Sequence, residues 1–98
     1  MTKVNITPAA KKIAEAAEMY VESDTRIIEL ADGTERTEDT VVIGDEGSDF
    51  YIEYGVSRNG SLFHIVSPGY VEDLPAHITT SVQLKAVVKY AVECCEAA

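Results

Sequence analysis

Asp49-Phe50-Tyr51-Ile52-Glu53-Tyr54-Gly55-Val56-Ser57-Arg58-Asn59-Gly60-Ser61-Leu62-Phe63-His64-Ile65-Val66-Ser67 is the stretch on which the fold turns. Two β-prone runs flank Asn59-Gly60, the residue pair that best tolerates the positive φ angles of a two-residue hairpin turn. With that turn, Arg58 faces Ser61, Val56 faces Phe63, Tyr54 faces Ile65 and Ile52 faces Ser67. Side chains alternate across a strand. Phe50, Ile52, Tyr54, Val56, Phe63 and Ile65 therefore share one apolar face, the expected floor of the core. Tyr51, Glu53, Leu62, His64 and Val66 share the reverse.

Working back towards the N-terminus, Asp32-Gly33 repeats the turn signal. It sets a strand over Thr25–Ala31 against the residues that follow, with Glu29 opposite Arg36. Ile28 and Leu30 then share a face with Thr37, Val41 and Ile43, and the hairpin tip reaches past the core into water. Residues 7–22 read as a helix. Thr7 is its N-cap, Pro8 its first residue, and Ala9, Ile13, Ala16, Ala17 and Tyr20 its apolar stripe, with Met19 outside that stripe. Gly44–Ser48 reads as an acidic loop lacking the ligand spacing of an EF-hand.

Towards the C-terminus, Ser67–His77 holds two prolines and a glycine and reads as an irregular connector. A second helix starts near Thr80, where Thr80-Ser81-Val82-Gln83 fits a capping box. Its buried stripe is Leu84, Val87, Val88, Ala91 and Cys95. The adjacent Cys94 and Cys95 are expected as reduced structural thiols, Cys95 inward and Cys94 on the flank. The whole predicts an α+β, two-layer domain over residues 1–98. It is a four-stranded antiparallel β-meander with an N-terminal and a C-terminal helix on one face, in the order α-β-β-β-β-α.

The chain has 98 residues, 46% of them hydrophobic, and a net charge of −9. Glu22, Asp24, Glu29, Asp32, Glu35, Glu38, Asp39, Asp45, Glu46, Asp49 and Glu53 face only Arg26 and Arg36 over residues 22–53. That segment carries the entire net charge. Direct binding to nucleic acid or an anionic membrane is disfavoured, because phosphate affinity comes from clustered Lys and Arg. A basic protein partner is favoured. No phosphate-binding glycine loop, nucleophile pair or metal-ligand spacing appears, so neither catalysis nor a cofactor or metal is expected, and a cytoplasmic location is.

Two contact surfaces follow. The acidic strands and loops offer Glu29, Asp32, Glu35, Glu38, Asp39, Asp45, Glu46 and Asp49. The open sheet face offers Tyr51, Glu53, Leu62, His64 and Val66. Small acidic single-domain chains of this kind resemble, as a class, the phage- and plasmid-encoded inhibitors of bacterial defence systems, anti-CRISPR proteins and DNA mimics among them. That class shares no common motif, so the resemblance assigns no residue a role. It implies an inhibitor of a basic, nucleic-acid-binding host complex. The alternatives are a homo-oligomeric adaptor, such as a homodimer built on the open sheet face, and a small-ligand-binding α+β domain.

Overall fold

The computed structural model describes residues 3–97. Its elements are α1 (Pro8–Ala16), β1 (Met19–Glu29), β2 (Glu35–Asp45), β3 (Tyr51–Val56), β4 (Leu62–Val66), β5 (His77–Ile78) and α2 (Ser81–Ala97). The strands form one antiparallel meander in the order β1-β2-β3-β4-β5, and both helices pack on one face of it. The predicted architecture stands, with one short strand added: His77, the last residue of the expected connector, and Ile78 after it pair with Phe63 and Leu62.

Both hairpins depart from the predicted turn in the same way. Ser57 N–H bonds to Ser61 C=O, and Gly60 N–H bonds back to Ser57 C=O. The loop is therefore three residues, Arg58-Asn59-Gly60, with Gly60 at φ +84°. Likewise Leu30 pairs with Thr34, Gly33 N–H returns to Leu30 C=O, and Gly33 sits at φ +86°. This is the three-residue hairpin in which a left-handed glycine follows a tight turn. Side chains select it: Asn59 Oδ1 accepts from Ser61 N–H at 3.0 Å, and Asp32 Oδ1 accepts from Thr34 N–H at 3.0 Å. Each acceptor closes its loop one residue earlier than a two-residue turn would.

The one-residue slip exchanges faces. Glu29 lies opposite Glu35, not Arg36, and Ile27, not Ile28 or Leu30, shares the face of Val41 and Ile43. Val56 lies opposite Leu62, and Phe63 lies opposite Gly55. Leu62 is consequently fully buried beneath the helices, whereas Phe63 is on the reverse face. A bulge at Glu53/Tyr54 restores the predicted parity only for Val66, which pairs with Glu53.

α1 stops at Ala16, six residues short of the predicted end. Ala17 caps it, and Glu18 takes a left-handed φ of +60°, which breaks the helix. The β-prone Met19-Tyr20-Val21 then pairs with Asp45, Gly44 and Ile43. Strand pairing over a buried surface outweighs continuation of a short alanine-rich helix. Met19 is thereby in the core. Ala10 and Ala14 form the helix's buried contact, with Ile13 and Ala17 beside them, while Ala9 and Ala16 face solvent.

α2 follows its prediction closely. Thr80 Oγ1 accepts from Gln83 N–H, and Gln83 Oε1 accepts from Thr80 N–H, completing the capping box. Leu84, Val87, Val88 and Ala91 are buried, and Cys94 and Cys95 are both half-buried free thiols. Over the sheet they meet Val21, Val41, Ile43, Ile52, Tyr54, Leu62 and Ile78.

Tyr54 lies at the centre of this core, and its hydroxyl donates to Pro75 C=O at 2.8 Å. Burial pushes its pKa from 10.0 to about 12. Because the folded value is raised, the contribution is fully present below pH 10 and is lost as pH rises towards 12. Tyr54→Phe is expected to cost about 1 kcal/mol at neutral pH. It should also flatten the alkaline fall of the thermal midpoint over that window. An unchanged alkaline profile in the variant would place the responsible group elsewhere.

Candidate interaction surfaces

β2 pairs with β3 only as far as Thr40 opposite Gly55, while β1 and β2 stay paired out to Glu29 and Glu35. The outer halves of β1 and β2 thus form a two-stranded ribbon projecting beyond the sheet. Cross-strand partners share a face, so the register sorts the charges. On the helix side lie Thr25 with Asp39, Ile27 with Thr37, and Glu29 with Glu35. On the other lie Arg26 with Glu38 and Ile28 with Arg36.

Both ribbon arginines therefore sit on one face, and they share one acid. Arg26 Nη2 is 3.6 Å from Glu38 Oε1, and Arg36 Nη2 is 4.0 Å from Glu38 Oε2. Arg58, in the β3–β4 loop, lines the same hollow as Arg36, Glu38 and Phe63. The helix-side face keeps Glu29, Glu35 and Asp39 with no base between them. Like charges directly opposite each other destabilise a strand pair by a few tenths of a kcal/mol, up to about 1. Asp32 stands at the tip, its carboxyl held below the usual range by the Thr34 hydroxyl and N–H.

The remaining carboxylates are elsewhere. Asp45, Glu46 and Asp49 occupy the far end of β2 and the loop after it, ten positions from Glu35. That is about 33 Å at strand rise. Asp45 accepts from Ser48 Oγ at 2.8 Å and Gly47 N–H at 3.3 Å, which hold its carboxyl low. The eight acidic positions thus form two groups, and Glu38 is turned away from its own group towards the arginines.

The reverse face of the sheet is largely covered by its own side chains. Tyr20 lies across Gly44, and Phe63 across Gly55. A Cβ at Gly44 would fall 2.4 Å from Tyr20 Oη, and one at Gly55 2.3 Å from the Phe63 ring. Val42 and Thr40 are buried there without any helix above them. Tyr51, Glu53 and Val66 are on this face, Tyr51 37% and Val66 43% exposed. Burial raises the Tyr51 pKa, and the Glu53 and Asp24 carboxylates add to the shift.

Leu62 and His64 do not belong to that face. Leu62 is core, as above. His64 is exposed but lies opposite Tyr54, not Gly55, its ring edge-on at 5.5 Å and its Nε2 2.9 Å from Ser67 Oγ. Sequence patterning missed Tyr20 and Phe63, the one assigned to a helix and the other to the core. It also missed Ile27, which is 68% exposed on the ribbon.

These features define a two-layer α+β protein with a projecting, charge-sorted β-ribbon. No known protein family, curated protein or solved structure matches the chain. Among the described residues no helix is long and apolar enough to cross a membrane.

Proposed function

We propose that the chain is a non-enzymatic, cytoplasmic interaction protein that inhibits a basic, nucleic-acid-binding host complex, in the manner of an anti-CRISPR or other anti-defence protein. Its ribbon carboxylates occupy the partner's phosphate-binding surface in place of nucleic acid. It binds neither nucleic acid nor membrane directly. The observation that carries this reading is the pairing of Glu29 with Glu35 on the ribbon face that also carries Asp39, four positions along β2, and from which both ribbon arginines are excluded. That arrangement is unfavourable in the free chain, and a basic surface laid against it relieves the repulsion.

The test is neutralisation at constant shape: Glu29→Gln, Asp32→Asn, Glu35→Gln and Asp39→Asn together. Wild-type and variant baits are compared in affinity capture from host lysate, with mass spectrometry as the readout. The captured complex is then assayed for nucleic-acid binding with each protein added. The variant is expected to fold and to lose at least tenfold in affinity, about 1.4 kcal/mol. Wild-type binding should weaken steeply with salt, because steering by charge is screened over about 10 Å at 0.1 M. Equal capture by both baits, or capture indifferent to salt, would leave the acidic residues a role in solubility alone. Neutralising Asp45, Glu46 and Asp49 instead should change capture little, since that group is at the other end of the sheet.

A further inference from the structure

We infer that β1 is the interface for a second copy of this chain, the two β1 strands pairing antiparallel about a two-fold axis through Thr25. Leu30 and Thr34 are a hydrogen-bonded pair, and bonding alternates along an antiparallel ladder. The even-numbered residues of β1 therefore bond to β2. Met19, Val21, Ser23, Thr25, Ile27 and Glu29 point their N–H and C=O groups away from the sheet. Thr25 agrees: its N–H is taken by its neighbour's side chain, Asp24 Oδ1, at 2.8 Å. The open edge is 11 residues long and holds no lysine, proline or bulge, and its charged residues are Glu22, Asp24, Arg26 and Glu29.

Charge selects the register. An axis through Asp24 sets that carboxylate against itself, one through Ser23 sets Glu22 against the second copy's Asp24, and one through Arg26 sets two guanidinium groups together. The axis through Thr25 instead sets Asp24 of each copy against Arg26 of the other, twice, in the closely spaced non-hydrogen-bonded positions. The Arg26 side chain is 38% exposed, and Glu38 at 3.6 Å is its one acidic partner among the described residues of the single chain, which leaves its outer guanidinium edge open to a second carboxylate. On pairing, Thr25 N–H passes to the other copy's Thr25 C=O, and Asp24 is released to Arg26. About ten main-chain hydrogen bonds form, two for each outward-facing pair.

The helix-side face matches as well. Ile27 comes opposite Ser23 of the second copy. Ser23 lines a groove of about 780 Å³ with a mixed lining, in which Val4, Ile6, Val41 and Val56 are apolar and Lys3, Lys11, Glu22, Asp24 and Asp39 are charged. An isoleucine that is 68% exposed in the single chain thus comes beside the apolar part of that groove. Each copy supplies both the knob and the groove, as a two-fold interface requires. Edge pairing is lateral, so Glu35 on β2 keeps its exposure, whereas Asp39 lines the groove beside which Ile27 of the second copy comes to lie.

Sedimentation velocity between about 10 µM and about 1 mM tests this, and a dimer is expected in that range. Each chain carries net −9, so self-association should tighten with added salt, opposite to the binding of a basic partner. Thr25→Pro removes an N–H that the β1–β2 ladder does not use and should give a monomer. Asp24→Arg should weaken the dimer at least tenfold, and Asp24→Arg with Arg26→Glu should restore it. Should the proline variant fail to fold by circular dichroism, Ile27→Lys, at an exposed position, takes its place and should likewise give a monomer. A wild-type chain monomeric at the highest concentration would overturn the inference. So would a dimer that survives the proline or lysine variant, which would place the interface elsewhere.

Discussion

Leu62→Asp is expected to leave no folded protein at room temperature. Leu62 has no solvent exposure and packs beneath both helices between Val56 and Ile78. Truncating such a side chain costs about 2–5 kcal/mol, and a buried carboxylate without a partner adds several more. The sum matches the entire stability of an ordinary domain, about 5–15 kcal/mol. Val66→Asp, four residues along the same strand, should cost no more than about 1 kcal/mol, because Val66 is 43% exposed on the reverse face. Far-ultraviolet circular dichroism and urea melts of the two variants decide the matter. Equal, mild effects would mean that β4 lies in the register a two-residue turn gives, with Leu62 outside.

That contrast shows where the sequence is legible and where it is not. Helical periodicity over three turns and a capping box located α2 and its stripe, because many residues vote on one answer. The existence of the four long strands was equally plain, though not the start of β1 or the short β5. Strand facing was not, because it depends on one residue of loop length. Asn59-Gly60 and Asp32-Gly33 suit a two-residue turn and a three-residue turn alike, since both need a glycine at positive φ. What separates them is the Asn59 and Asp32 side-chain carbonyls closing on Ser61 and Thr34. The bulge at Glu53/Tyr54 then returned Val66 to the predicted face while leaving Leu62 and His64 displaced. Met19-Tyr20-Val21 was lost to the helix for a different reason. Its alanine-rich approach has strong helical propensity, and only pairing with Ile43–Asp45, distant in sequence, redirects it. The acidic character of residues 22–53 was visible from composition. Its division into a ribbon group and a loop group, about 20 Å apart at their nearest members Asp39 and Asp45 and about 33 Å from Glu35 to Asp45, needed the strand lengths.

Gly60 and Gly33 occupy equivalent positions in their loops, at φ +84° and +86°, so the same substitution at each separates backbone strain from packing. Gly33 has nothing within 4 Å of where a Cβ would lie. Gly33→Val should therefore cost only the left-handed backbone penalty of a β-branched residue, about 1–2 kcal/mol. At Gly60 a Cβ would fall 2.8 Å from Lys3 Cα, and the Gly60 carbonyl accepts from Val4 N–H at 3.0 Å. The added side chain must push the N-terminal segment off the turn. That loses the hydrogen bond and uncovers Val4, which is 5% exposed in the core cluster. A buried valine contributes about 1.5–3 kcal/mol and the bond about 1. With the same backbone penalty added, Gly60→Val is accordingly expected to cost about 3.5–6 kcal/mol, well above its counterpart. A double-mutant cycle with Val4→Ser identifies the cause. The serine should destabilise the wild-type chain by about 2 kcal/mol and the Gly60→Val chain by much less, since its segment is already displaced. Additive costs would mean that the N-terminal segment does not rest on the turn, and the two glycines would then differ for some reason other than Lys3 and Val4.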